Sequence, residues 1–167
     1  KNILLGNNDK TYTAKKVLLC SGSETIIPPI KGLAESNYWT SKEALENKEV
    51  PESLAIIGGG VIGFEFASFF NSLGTKVSII EMLPEILGKM DKELSAMLSA
   101  EYAKKGIDFY LDTKVVDIEG DKVIIEKDSK KSSIQATKIL LSTGRRKITA
   151  NLNLDKFNIE MFRNGFK

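Results

Sequence analysis

The chain has 167 residues, 24 basic and 22 acidic, for a formal net charge of +2, with no histidine and one cysteine. A balance so close to neutral gives no electrostatic case for nucleic acid, and no apolar run approaches the ~20 residues that a membrane helix needs. Absence of histidine removes the commonest general acid–base and a common metal ligand, and one cysteine excludes an internal disulfide and fits a reducing cytoplasm. Catalytic machinery built on histidine or on a cysteine pair must therefore lie elsewhere, and no catalytic residue or metal site is assigned here.

The chain opens on Lys1, not Met, almost inside a strand, which reads as a piece of a longer protein. Strands are expected at 3–5 and 11–20 around a Gly6-to-Lys10 turn, followed by an extended linker over 24–36 that contains Pro28-Pro29 and Gly32. Thr40 or Ser41 caps a short helix over 42–47, which Val50-Pro51 ends. Ser53–Ile57 is nearly all apolar, as a parallel strand covered on both faces should be. Gly58, Gly60 and Gly63 then form G-x-G-x-x-G and open a helix to Leu73, with apolar residues at 62, 66, 69, 70 and 73 and Gly74 as its stop. Thr75–Ile80 is β-rich and runs into Glu81. After an irregular connection through Pro84 and Gly88, Asp91 caps a helix over 92–105. Leu94, Met97, Leu98, Ala100 and Tyr102 are expected on its buried side, and Gly106 closes it. A strand at 107–110 precedes a hairpin of Lys114–Glu119 and Lys122–Glu126 about Gly120-Asp121. Ser133–Gln135 and Lys138–Ser142 return the chain to the main sheet. From Ile148 onward the pattern loses its period. The fold class expected is α/β, a Rossmann-like parallel sheet with flanking helices and an added β-hairpin or meander.

Strand, glycine turn, helix, strand and terminal acid are the parts of a dinucleotide-binding βαβ unit, in order. Gly58 allows the tight turn, Gly60 lets the backbone approach a pyrophosphate, and Gly63 removes a side chain where helix and strand touch. Val61 and Ile62 supply N–H groups at the positive end of the helix dipole. Glu81 accepts from ribose hydroxyls and would repel a 2′-phosphate, and Met82-Leu83 supply no arginine to receive one, so NAD is favoured over NADP. A glycine turn that only packs helix on sheet is the bland competitor, and it leaves the acid at the strand end unexplained. A weak internal echo pairs Ala14–Ser23 with Ala136–Arg145, each a strand leading to a glycine exit, and coincidence competes with it.

The residues Gly58–Glu65, Val77–Glu81, Thr113-Lys-Val115 and Ser142-Thr-Gly-Arg-Arg146 resemble the nicotinamide-binding domain of the flavin-dependent pyridine nucleotide–disulfide oxidoreductases, the dihydrolipoamide dehydrogenases in particular. Leu19–Ser23 and Pro28–Gly32 match the family's passage from flavin domain to nicotinamide domain. Cys20, where Ala or Thr is usual, and Lys147-Ile148, where Pro-Asn is usual, depart from the pattern. The resemblance implies 1–23 as flanking strands of a flavin domain, 24–36 as linker, 37–145 as the NAD-binding domain and 146–167 as a tail returning to the flavin domain. It places Glu65 near the nicotinamide, Val115 against the adenine through its backbone, Gly144 beside the nicotinamide half, and Val61 as a gate toward flavin. An acid in the first helical turn, stabilised by the dipole, is the bland reading of Glu65. Ordinary strand and turn roles compete for Val115 and Gly144.

The activity so implied is oxidation of dihydrolipoamide through a redox disulfide and FAD, with reduction of NAD⁺. This chain carries no cysteine pair and no flavin fingerprint, so alone it should bind NAD without turning over. In the full-length protein FAD, the flavin and interface domains of the same chain, a homodimer, and a 2-oxoacid dehydrogenase or glycine cleavage assembly are implied partners, with no nucleic acid and no membrane. Two alternatives stay open: the same domain of another flavin disulfide reductase or NADH oxidase, and a non-catalytic NAD-binding module.

Overall fold

The computed structural model describes residues 2–5, 10–88, 90–150, 152–157, 159, 161–162 and 165–166. They fall into two compact units, 1–24 with 147–167 and 25–146. In chain order the elements are β1 (Asn2–Leu5), β2 (Thr11–Ala14), β3 (Ser23–Thr25), β4 (Tyr38–Trp39), α1 (Ser41–Glu46), β5 (Ser53–Ile57), α2 (Val61–Ser72) and β6 (Lys76–Ile80). Then come α3 (Lys92–Lys104), β7 (Asp108–Tyr110), β8 (Lys114–Glu119), β9 (Lys122–Lys127), β10 (Lys130–Gln135), β11 (Lys138–Leu141) and β12 (Arg145–Lys147). A 3₁₀ turn (Leu154–Phe157), β13 (Met161–Phe162) and β14 (Gly165–Phe166) finish it.

In the smaller unit β1 and β2 pair antiparallel, from Leu5↔Thr11 to Asn2↔Ala14, and β13 pairs with β14. The expected strand over 11–20 is shorter than that. It stops at Ala14, where its register with β1 runs out, and Leu18 beyond it is 86% exposed. An apolar run becomes a strand only where a partner is there to pair with it. The expected Gly6-to-Lys10 turn lies, except for Lys10, outside the described residues.

The larger unit is built on a five-stranded parallel sheet in the order β4-β11-β5-β6-β7. Its strands alternate between two cores. Leu54, Ile56, Val77, Ile79 and Leu140 join Trp39, Phe64, Ala67 and Phe70 on the face covered by helices. Ala55, Ile57, Ile80, Ile139 and Leu141 point the other way, into Ile118, Val123, Ile125 and Ile134 of an antiparallel meander, β8-β9-β10. With both faces covered the strands are largely apolar, and each fully buried Val, Leu, Ile or Phe side chain contributes about 1.5–3 kcal/mol. The expected linker over 24–36 is partly built into this unit: Leu33 is 2% exposed, and Lys31 bridges β8 with its ammonium 2.5 Å from the Asp117 carboxylate.

Local signals set the helix ends. Thr40 and Glu43 form a capping box at α1, and the Thr40 hydroxyl and N–H hold the Glu43 carboxyl below its usual range. That contribution is present at neutral pH and fades on acidification through the lowered value. Asp91 caps α3 by accepting from Glu93 and Leu94. The faces of α2 and α3 differ from expectation. On α2 the buried stripe is Gly63, Phe64, Ala67 and Phe70, while Phe69 and Leu73 are exposed and residues 62 and 66 only half-buried. Small residues at 63 and 67 let the helix sit close on the sheet, so that its buried face takes Phe64 and Phe70 while Phe69 and Leu73 turn outward. On α3, Ser95 is buried and Leu98 and Tyr102 partly so, whereas Leu94, Met97 and Ala100 are exposed. Tyr102 meets Phe64 edge-on at 4.8 Å between ring centroids, which fixes that rotation. Ser133–Gln135 belongs to the meander and not to the parallel sheet, because Ser133↔Ile124 and Ile134↔Val123 pair antiparallel.

The Ser95 hydroxyl is buried with no hydrogen-bond partner among the described residues. An unpartnered buried hydroxyl costs about 1 kcal/mol or more. Ser95→Ala should therefore raise the thermal midpoint by about 2–4 °C in a calorimetric or circular-dichroism melt. A lower midpoint would mean that the hydroxyl is satisfied.

Candidate functional site

Strand β5 ends at Ile57, and the backbone turns at once. Gly58 sits at φ +107°, a conformation L side chains avoid, and a Cβ there would stand 2.6 Å from the Ser142 carbonyl oxygen. Its N–H donates to Ile80 O at 2.8 Å, and its carbonyl accepts from the Ser142 hydroxyl at 2.6 Å. Next, the Gly59 N–H donates to Glu81 Oε2 at 2.7 Å, and its carbonyl accepts from Leu87 N–H at 2.8 Å. A Cβ on Gly59 would press to 3.2 Å on Glu81 and 3.3 Å on Ile86. Gly63, one turn into α2, faces back on this region, and a Cβ there would overlap the Gly58 carbonyl oxygen and Ser142 Oγ.

Gly60 is different. Its φ is −71°, which any residue adopts, and nothing lies within 4 Å of where its Cβ would be. It is the N-cap of α2, with no side-chain cap, whereas α1 and α3 are both capped by side chains. The first intrahelical bond is Phe64 N–H to Gly60 O, so the N–H groups of Gly60, Val61, Ile62 and Gly63 precede the helical ladder.

Gly58, Gly60, Glu81, Val115 and Gly144, five of the residues expected from sequence, line one cavity of about 390 Å³, within the range of small-molecule sites. It lies at the carboxyl ends of β5, β6 and β11. Here β11 joins on one side of β5 and β6 on the other, the switch point at which open α/β sheets bind ligands. Val61, exposed, and Ile62, half-buried, head the helix beside the cavity without lining it. Glu65 is not brought to this cavity. It is exposed and lines another of about 380 Å³, with Leu45, Phe66 and Phe69 between α1 and α2.

Glu81 is fixed from four directions. Its N–H donates to Tyr110 O and its carbonyl accepts from Thr113 N–H, each at 2.9 Å. One carboxylate oxygen takes the Gly59 N–H and the other the Leu83 N–H at 2.9 Å. Each oxygen keeps a second lone-pair site, so the group can accept from a ligand hydroxyl while still holding the turn. Sequence reasoning missed three contributors to this arrangement. Ser142 was visible only as part of a Ser-Thr-Gly string. Ile86 and Leu87 lie in an irregular loop already rich in apolar residues, so residue type does not single them out, although Ile86 is fully buried. Among the described residues no group of His, Cys, Asp and Glu is arranged to hold a metal, and no helix is long and apolar enough to cross a membrane.

Residues 1–167 match a family model described as pyridine nucleotide-disulphide oxidoreductase. A dihydrolipoyl dehydrogenase of Acholeplasma laidlawii is 36% identical over 164 residues, which are 96% of this chain and 48% of that protein. A mercuric reductase of Bacillus cereus is 35% identical over 162 residues, 95% of this chain and 26% of its own length. Among solved structures, the HOCl-induced flavoprotein disulfide reductase RclA from Escherichia coli aligns with a TM-score of 0.79 at 27% identity, covering 95% of this chain and 37% of that one. The chain thus spans about half or less of the relatives it matches.

The glycines divide by what demands them. Gly63→Ala should destabilise the chain by about 1–3 kcal/mol through overpacking on Ser142 and the Gly58 carbonyl. Gly60→Ala should cost less than about 1 kcal/mol, the loss expected for Ala at an N-cap. Urea unfolding of the two variants checks the contrast, and equal losses would contradict it.

Proposed function

The chain belongs to the pyridine nucleotide–disulphide oxidoreductases, and from that premise we propose that it is their NAD-binding domain, with the cavity at the glycine turn as the dinucleotide site. The observation that carries this reading is Gly60. Gly58 and Gly63 are each explained by an atom of this protein that a side chain would overlap, Gly59 by side chains that would have to give way, and Gly60 by none. A glycine facing open space at the head of an uncapped helix suits close approach of a pyrophosphate to backbone N–H groups. The residues fit NAD in kind: N–H groups of Gly60, Val61 and Ile62 for the pyrophosphate, Glu81 for the adenosine ribose, Val115 for the adenine side, and Gly144 for the nicotinamide side.

Hydride transfer is the chemistry a nicotinamide supplies when bound. The chain's own task is to orient that group and to choose between NAD and NADP. The Glu81 carboxylate makes charge-assisted bonds worth about 1.5–3 kcal/mol each to hydroxyl donors and repels a 2′-phosphate. Glu65 remains a proposal from resemblance alone, since it faces the groove between α1 and α2.

For the longer protein we propose a flavin-dependent disulfide reductase, oxidation of dihydrolipoamide being the first reading on the strength of the Acholeplasma relative and of the motifs. The mercuric reductase relative keeps a second substrate class in view. Cys20, the one cysteine of the chain, does not make a redox pair by itself. FAD, a homodimer and a 2-oxoacid dehydrogenase or glycine cleavage assembly belong to that same proposal.

Titration calorimetry of the purified chain should show NADH binding at least about tenfold tighter than NADPH, a difference of about 1.4 kcal/mol. No binding, or equal binding, would overturn the reading. Gly60→Ala should weaken NADH by about tenfold or more while the melt stays near that of the unaltered chain.

A further inference from the structure

The peptide group between Gly58 and Gly59 is held at both ends by side chains that arrive from opposite sides of β5. Its carbonyl oxygen accepts from Ser142 Oγ at 2.6 Å, at the exit of β11. Its N–H donates to Glu81 Oε2 at 2.7 Å, at the exit of β6. Because β11 and β6 flank β5 in the sheet, this one peptide plane is strung between the ends of the two flanking strands, next to the cavity that Gly58 and Gly60 line. We propose that Ser142 is a positioning residue for the nucleotide site, acting with Glu81 as a clamp on the Gly58–Gly59 plane. The proposal rests on the NAD-binding reading above.

The need for a clamp follows from the residues. A peptide between two glycines has the widest conformational freedom a backbone offers, and its rotation would carry Gly60 and the N–H groups of the α2 head with it. Ordering that plane before a ligand arrives removes the cost from binding. Ser142 is itself well anchored: its N–H donates to Ile57 O at 2.9 Å, continuing the β11–β5 ladder, and its hydroxyl also lies 3.2 Å from that carbonyl. The space for its Oγ exists because Gly63 has no Cβ. Gly63 therefore admits the hydroxyl as well as the helix. The clamp is unequal. The carboxylate bond is charge-assisted and the stronger of the two, so loss of Ser142 loosens the plane without unfolding the turn.

The test uses the ¹⁵N-labelled 167-residue chain, with amide hydrogen exchange at Gly59 and calorimetric titration with NADH measured side by side. Ser142→Ala should speed exchange of the Gly59 amide about tenfold, leave exchange in the core of β6 unchanged, and weaken NADH about five- to tenfold. Glu81→Gln should do more, and the double variant should lose less NADH affinity than the product of the two single losses, because both act on one plane. Unchanged Gly59 exchange in Ser142→Ala overturns the clamp. Faster exchange with unaltered NADH affinity overturns the positioning role. Failure of the unaltered chain to bind NADH takes down the nucleotide reading and the positioning role together, and the Gly59 exchange rate tells that case apart from failure of the clamp.

Discussion

From the end of β5 to the first turn of α2 the backbone is so crowded that Gly58 and Gly63 have no room for a Cβ and Gly59 has little, and the rest of the larger unit is arranged to supply that crowd. β6 ends so that Ile80 accepts from Gly58 and Glu81 reaches Gly59. The loop after it turns back so that Leu87 donates to Gly59, and β11 ends so that Ser142 closes on Gly58. Once those bonds are made, the carbonyls of Gly58, Gly59 and Gly60 and the N–H groups of Gly58 and Gly59 are all engaged within the protein. The N–H groups at the head of α2 stand outside that set. A turn that satisfies itself is rigid, and a rigid turn presents its remaining donors in a fixed direction.

Two cores make this possible. A sheet with helices on one face and an antiparallel meander on the other has no exposed face to solvate, and the strands that meet at the cavity are held by packing on both sides. The segment before β4 takes part too. Gly32, at φ +75°, lies so close beneath the Ile118 carbonyl that a side chain there would displace β8. Leu33 is buried among the meander residues. The wall of the cavity made by Pro28, Ile30 and Val115 is therefore tied to the same core as the glycine turn on its far side.

What the sequence made legible was local or periodic in a strong way. The strands β5 and β6, the caps Thr40 and Asp91, the stops Gly74 and Gly106, and the glycine fingerprint with its acid all declare themselves within a few residues. The family follows from those strings. The helix faces did not, because periodicity weights large apolar residues, and α2 buries Gly63 and Ala67 while α3 buries Ser95. The third strand of the meander reads from sequence as part of the main sheet, because a strand pattern does not name its partner. Ser142 and Leu87 are further still from local reading. Each acts through a bond to backbone remote in sequence or turned back by a loop, and nothing in residue type foretells such a bond. Glu65, which the motif places near a nicotinamide, lines the groove between α1 and α2.

The ends of the two sheets bear on how copies of the chain meet one another. The five-stranded sheet finishes in β4, of two residues, and β7, of three, and the meander finishes in β10 with Lys130 and Lys131 exposed along it. Short or lysine-bearing edges give an incoming strand little to zip against. The runs best suited to indiscriminate pairing, Ser53–Ile57 and Lys76–Ile80, are interior strands with a partner on each side. The same order that brings their ends together at the cavity keeps these two runs from pairing with another copy while the chain is folded.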